Sequence, residues 1–320
     1  MGNLSFLITD LIIFTLQFTC IISNGFVLFL YLRVKRLRKN LALRMIVFLS
    51  ITDTMLAVTA LPYIIYLIVT WNDTFILLNP YMIMISSTPL TIQLKINLTL
   101  TIAIALDRTI ALYFTVIYRR MSSAVYANTA LLIGIFLAIC DVTAEFVLSP
   151  ILPRPNCAAI GCFVSDRFRY YWGTSNMVLG FFVIILTMAM LAKLRYIQKH
   201  SESEKALVST SNSSTSRFRQ ANRSSLGILL TSLLFVTLPS VGVGFVEMIG
   251  FSIFKTVGPF YILGLLAAGT CNSIVYVALN RDMRELAKNC ILKRSFSTAT
   301  VSVEPTTKIS TKVVSTVMKN

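Results

Sequence analysis

Five ionisable side chains interrupt stretches that are otherwise apolar: Asp53, Lys95, Asp141, Glu145 and Glu247; the adjacent pair Asp107-Arg108 stands at the end of another such stretch. In hydrocarbon such a group costs several kcal/mol unless it is paired or wetted, so each is a candidate for function. Asp141 and Glu145 are four residues apart, which puts both on one face of a helix. With Glu247 they are expected to give an outward-facing cavity an acidic lining, with Lys95 at its floor. That set suits capture of a small amphipathic molecule. An acidic one would pair with Lys95, and a cationic one would prefer Asp141 or Glu145. The plainer account of Glu145 and Glu247 is that both stand near an interface and reach headgroups and water. Asp53 lies deeper, and its charge is balanced by Lys95, by a cation or by protonation. Catalysis finds no support. The one histidine, His200, sits in a polar loop, and the six cysteines have no metal-ligand spacing, so neither enzyme chemistry, nor a metal, nor a cofactor is expected.

The elements that position these groups are long apolar runs. The 320 residues are 56% hydrophobic and 13% charged, far from the balance of a soluble domain. Seven runs near the length of a membrane span cover 11–32, 41–69, 81–112, 124–148, 171–194, 226–248 and 258–277. This excludes a disordered chain, a nucleic-acid-binding module and a water-soluble enzyme, although the net charge is +16. The charge lies between the runs. Twenty-three Lys and Arg fall on one side of the alternating connections and four (Arg154, Arg167, Arg169 and Lys255) on the other. The positive-inside rule then places the N-terminus outside and the tail in the cytosol. Residues 1–10 are expected to be extracellular, 11–294 to form the spanning domain, and 295–320 a disordered cytosolic tail. The sequons at Asn3 and Asn72 fall on the outer side, where glycosylation is possible. The Ser-rich segment 201–216 is expected to be mobile. At about 1.5 Å rise per residue, Lys95 lies roughly 20 Å above Arg108 and Asp53 roughly 18 Å up the second run. Pro62, Pro89 and Pro239 each remove a helical hydrogen bond and favour a kink.

Five motifs in order carry a resemblance. The third run ends Ala105-Leu106-Asp107-Arg108-Thr109, similar to the Asp-Arg-Tyr segment of rhodopsin-like G-protein-coupled receptors. The seventh ends Asn272-Ser273-Ile274-Val275-Tyr276, similar to that family's Asn-Pro-x-x-Tyr, and continues into Asn280-Arg281-Asp282-Met283-Arg284-Glu285-Leu286, which resembles its short amphipathic eighth helix. Leu49-Ser50-Ile51-Thr52-Asp53, Asn24 and Pro239 match positions on spans two, one and six. The departures are Thr109 for Tyr, Ser273 for Pro, no Trp in span four, no Cys-Trp before Pro239 and no Cys opening span three. Divergence of this kind resembles the nematode serpentine chemoreceptors. Cys157-Ala158-Ala159-Ile160-Gly161-Cys162 followed by Phe168-Arg169-Tyr170-Tyr171-Trp172 is most similar to their class BC.

The resemblance implies an all-α membrane protein: a rhodopsin-like seven-transmembrane helix bundle with an eighth helix, in the plasma membrane or a sensory cilium. It implies a small-molecule ligand, such as an odorant or pheromone-like metabolite, and a heterotrimeric G protein as partners, with membrane lipid around the bundle. Asp107, Arg108, Asn272, Tyr276 and Pro239 take the places of the coupling and switch residues. Asn24, Asp53 and Asn97 resemble the family's buried polar site for sodium, a role the Lys95 ammonium can fill instead. Cys157 and Cys162 can close a local ring in place of the missing disulfide, or stand as free thiols. Of other seven-span classes, a retinal protein needs a lysine in span seven, which is absent. A seven-span ligand-gated channel has the opposite orientation. A secondary transporter is the runner-up, but no paired internal repeat is visible.

Overall fold

A computed structural model describes residues 2–34, 37, 43–205, 213–250 and 260–291. The tail expected over 295–320, Lys255, and the middle of the 201–216 segment lie outside the described residues. Both ends of that segment are helical, continuing the helices on either side. Among the described residues there is no strand. Eleven α-helices follow in order among the described residues: α1 (Gly2–Arg33), α2 (Arg44–Thr59), α3 (Leu61–Val69), α4 (Pro80–Tyr113), α5 (Thr115–Arg120), α6 (Ser123–Leu148), α7 (Asp166–Lys205), α8 (Ser213–Ser232), α9 (Leu238–Met248), α10 (Phe260–Leu279) and α11 (Arg281–Ile291). They include seven spans long and apolar enough to cross a membrane: α1, α2–α3, α4, α6, α7, α8–α9 and α10. Helix α1 begins at Gly2, so residues 2–10 continue the first span as helix.

The seven spans close a ring around the third. Span one packs on two and seven, five on six, and six on seven, while span three touches two, four, five, six and seven. Accordingly 72% of the most apolar stretch of span three is buried, against 22% for spans one, four and five. Large apolar side chains such as Ile22, Val69 and Val147 face outward, as a hydrocarbon solvent requires. Two apolar clusters fill the interior: one at the lid end around Tyr63, Leu94 and Trp172, the other at the Arg108 end around Leu100, Ile104 and Tyr276.

Local sequence explains the irregular points. Asn79 caps span three, its side chain accepting from the N–H groups of Tyr81 and Met82, with Pro80 in the first turn where no donor is needed. Span two breaks between Thr59 and Leu61, just before Pro62. Span six widens into a π turn over Leu233–Thr237, immediately before Pro239, a bulge frequent at functional sites. Span seven meets that turn through Gly264, where a methyl group would come within 2.5 Å of the Phe235 carbonyl. The eighth helix is capped by Asn280, whose side chain accepts from Met283 N–H, and it buries Met283 and Ala287, one turn apart.

Candidate functional site

Span four builds the site by periodicity. Its buried residues are Ala127, Ala130, Gly134, Ala138, Asp141 and Glu145, one stripe at three- and four-residue spacing. The small members let it close on span three, Gly134 standing against Ile96. The last two carry that contact face on as carboxylates. Asp141 is 3.0 Å from Lys95 of span three. The Lys95 ammonium also donates to Ser175 Oγ at 2.7 Å, and Tyr171 Oη donates to Asp141 Oδ1 at 3.0 Å. Lys95 is thus bound to spans four and five. Of the three ways left open for balancing Asp53, pairing with Lys95 is not the one found: Lys95 is bound to Asp141 and Ser175, while Asp53 accepts from Gln93.

Glu145, one turn further, accepts from Thr91 Oγ1 at 2.8 Å and is 1% exposed. It does not reach water as the plainer reading held; span three covers it. It lines a cavity of about 30 Å³, room for one or two waters. Leu90, Phe168, Trp172, Phe260 and Tyr261 are the large apolar and aromatic members of its wall, and Arg169 borders it too. Of the four expected pocket residues, Glu145 borders this cavity, and Lys95, Asp141 and Glu247 do not.

A lid covers the cavity. Cys157 and Cys162 form a disulfide, and Ile160, Gly161 and Val164 roof the cavity. The lid is fastened at several points. Ile160 N–H donates to Tyr63 Oη, Asn156 N–H to Ile76 O, and Ser165 N–H to Ser149 Oγ. Arg169 Nη1 donates to the carbonyls of Gly161 and Val164, 2.7 Å each, and its guanidinium pairs with Asp166 and lies 3.9 Å from Glu247. Arg169, Trp172 and Tyr261 were not among the expected pocket residues. Arg169 was counted as an ordinary loop charge, although it stands three residues before Trp172, on the same turn of span five.

Below the cavity the polar groups form a second cluster. Asp53 is buried and accepts from Gln93 Nε2 at 2.8 Å, while Gly269 of span seven stands against its carboxyl group. Asn24 donates to Gly269 O and to Cys20 Sγ, and Cys20 Sγ–H in turn donates to Asp53 O. Gln93 and Cys20 are thus members that the motif match did not indicate. Asn97 Oδ1 accepts from Ser232 Oγ, and Ser232 Oγ lies 3.1 Å from Thr101 Oγ1, so spans three and six are joined there. Asn272 and Tyr276 of span seven are buried nearer the Arg108 end. There Arg108 Nη2 is 2.9 Å from Asp107 Oδ2. Just beyond the span, burial pushes the Tyr118 phenol up, with Arg108 pulling the other way. Tyr113 Oη donates to Ala189 O, and Lys193 Nζ lies 5.2 Å from the ring centroids of both Tyr113 and Tyr196. No group of three potential metal ligands occurs among the described residues.

Comparison with known proteins follows the same lines. A family model described as serpentine type 7TM GPCR chemoreceptor Srbc matches residues 1–282. No curated protein sequence matches. Among solved structures, squid rhodopsin superposes with a TM-score of 0.66 at 14% identity, over 92% of this chain and 87% of that one, a likeness of fold.

Proposed function

The chain belongs to the Srbc family of serpentine seven-transmembrane chemoreceptors, and from that premise we propose that it is a multi-pass plasma-membrane receptor that binds a small extracellular molecule and activates a heterotrimeric G protein. One observation carries the reading: span three holds Thr91 at the lidded cavity and Arg108, ion-paired, at its other end. Seventeen residues separate them, roughly 25 Å of one rigid helix. A ligand that enters from the lid side biases the bundle between two arrangements, and the far end reports the bias.

In the resting arrangement Arg108 is held by Asp107, and span six is tied to span three through Ser232, Asn97 and Thr101. Ligand binding loosens those ties, and the lower half of span six swings about the π turn and Pro239. Asn272 and Tyr276 repack, and Arg108 is freed for the G protein. Asn24, Asp53 and Asn97 form the polar hinge between the two ends. The surplus of Lys and Arg on the Arg108 side supports a cytosolic placement of that end, with the N-terminus outside. A sensory cilium fits a receptor for external chemicals.

The test is Arg108→Ala in cell membranes with a nucleotide-exchange readout. Agonist-driven exchange is expected to vanish while the amount of receptor at the surface holds. Unchanged exchange would refute the coupling role.

A further inference from the structure

The cavity is bordered by a carboxyl group, that of Glu145, with no cationic partner among the described residues. Lys95 is matched by Asp141 at 3.0 Å, with Ser175 and Tyr171 completing the set. Arg169 is held by Asp166, by Glu247 and by two lid carbonyls. Glu145 has the Thr91 hydroxyl, and among the described residues no cationic side chain lies within ion-pair distance of it. A carboxylate enclosed in a cavity with only a hydroxyl beside it attracts a positive charge strongly, because little water screens it. Four rings border the same space, Phe168, Trp172, Phe260 and Tyr261, together with the engaged Arg169, and Trp172 lies 5.2 Å from Tyr261, ring to ring. Aromatic faces beside a carboxylate are the usual surroundings of a bound ammonium group. An anionic ligand, by contrast, would meet one cation, Arg169, already engaged by Asp166, Glu247 and two lid carbonyls, and one carboxylate that repels it.

We infer that the ligand class of this receptor is the small organic cation: a primary or substituted amine whose ammonium pairs with Glu145 and whose hydrocarbon body lies among the four rings. The inference rests on the receptor reading above for its signalling consequence, but not for binding. Since the cavity has room for only one or two waters, the amine's hydrocarbon body enters by displacing the lid around Ile160 and Val164, which enlarges the space.

The experiment uses purified full-length receptor and three probes that share one saturated ring: cyclohexylmethylamine, cyclohexylmethanol and cyclohexanecarboxylate. Thermal stability reads binding, because a ligand of the folded state raises the melting temperature. The amine alone is expected to stabilise the receptor. Glu145→Gln, nearly the same shape without the charge, is expected to weaken the amine about tenfold, the difference between a charge-assisted and a neutral contact. Glu145→Asp keeps the charge and should retain the preference for the amine over the alcohol. Stabilisation by the carboxylate, equal stabilisation by the alcohol, an amine effect untouched by Glu145→Gln, or no stabilisation by any probe would each overturn the inference. The three-probe comparison on the unaltered receptor decides even where a variant fails to fold. Nucleotide exchange is measured separately. Amine binding that depends on Glu145 but drives no exchange would sink the receptor reading and leave this one, and exchange driven only by uncharged or anionic compounds would do the reverse.

Discussion

Removing one partner of the Lys95–Asp141 pair should damage the fold far more than removing both. The two groups are 3.0 Å apart and their side chains are 2% exposed. At an effective dielectric of about 20 their attraction is about 5 kcal/mol, set against a desolvation penalty of similar size. The pair therefore contributes little net stability, but either charge left alone keeps its penalty. Lys95→Met strands Asp141 with the Tyr171 hydroxyl, and Asp141→Asn strands Lys95 with Ser175. Each single change is expected to cost about 3–5 kcal/mol. The double variant leaves neither charge of the pair, keeps an acceptor for Tyr171, and should recover most of that loss. The assay is the temperature at which purified receptor stops eluting as a monodisperse species, compared for the four proteins. A double variant as unstable as the two losses added together would refute the reasoning. Such an outcome would mean that the two groups act independently and are solvated by something other than each other.

Three further outcomes follow from other contacts. Gly264→Ala drives a methyl group against the Phe235 carbonyl and should cost about 1–3 kcal/mol, whereas Gly25→Ala and Gly242→Ala, with nothing within 4 Å of the added carbon, should be neutral or slightly stabilising; melting temperatures of the three check this. Ser232→Ala removes the link from span six to Asn97 and Thr101, about 1 kcal/mol of the resting arrangement, so ligand-free nucleotide exchange should rise about fivefold. Reducing the Cys157–Cys162 bond releases a constraint of about 2 kcal/mol for a ring this short; hydrogen exchange over 157–164 should speed up while the interior of span three keeps its protection.

The sequence revealed the spans, because hydrocarbon demands about twenty apolar residues per crossing and leaves little freedom in how that is met. Counting residues along two helices placed Lys95 and Asp53 well inside their spans, and both are buried in the bundle. What it did not reveal was rotation about each helix axis, which decides partners. Span three is buried nearly all round, so its sequence has no polar face to betray the direction of Lys95, and the choice between Asp53 and Asp141 came only with the packing. Span four shows the opposite case. Its stripe of Ala127, Ala130, Gly134 and Ala138 points to the same face as Asp141 and Glu145, so burial of both carboxylates was readable from spacing alone. Arg169 was hidden for another reason. A residue at the mouth of a span looks like any loop charge until the lid that folds onto it is known.

The distribution of polar groups along span three explains why one helix can link the two ends. Thr91, Gln93, Lys95, Asn97, Thr101, Asp107 and Arg108 are all buried, and the first five have hydrogen-bond partners on spans four, two, five and six. An apolar contact tolerates sliding, since one hydrocarbon surface is much like another. A hydrogen bond in hydrocarbon does not, because a displaced donor has no water to turn to. A bundle tied in this way resists small displacements and shifts only when several bonds exchange partners together, which makes for discrete arrangements rather than a continuum. A charge placed against Glu145 perturbs Thr91, and through span three it perturbs the bonds next in line. Thr91→Val should therefore alter ligand affinity without touching the Arg108 end, whereas Thr101→Val should alter ligand-free exchange without changing the cavity. If both variants shifted the same quantity in the same proportion, span three would be acting as a single lever and the separate polar ties would be incidental.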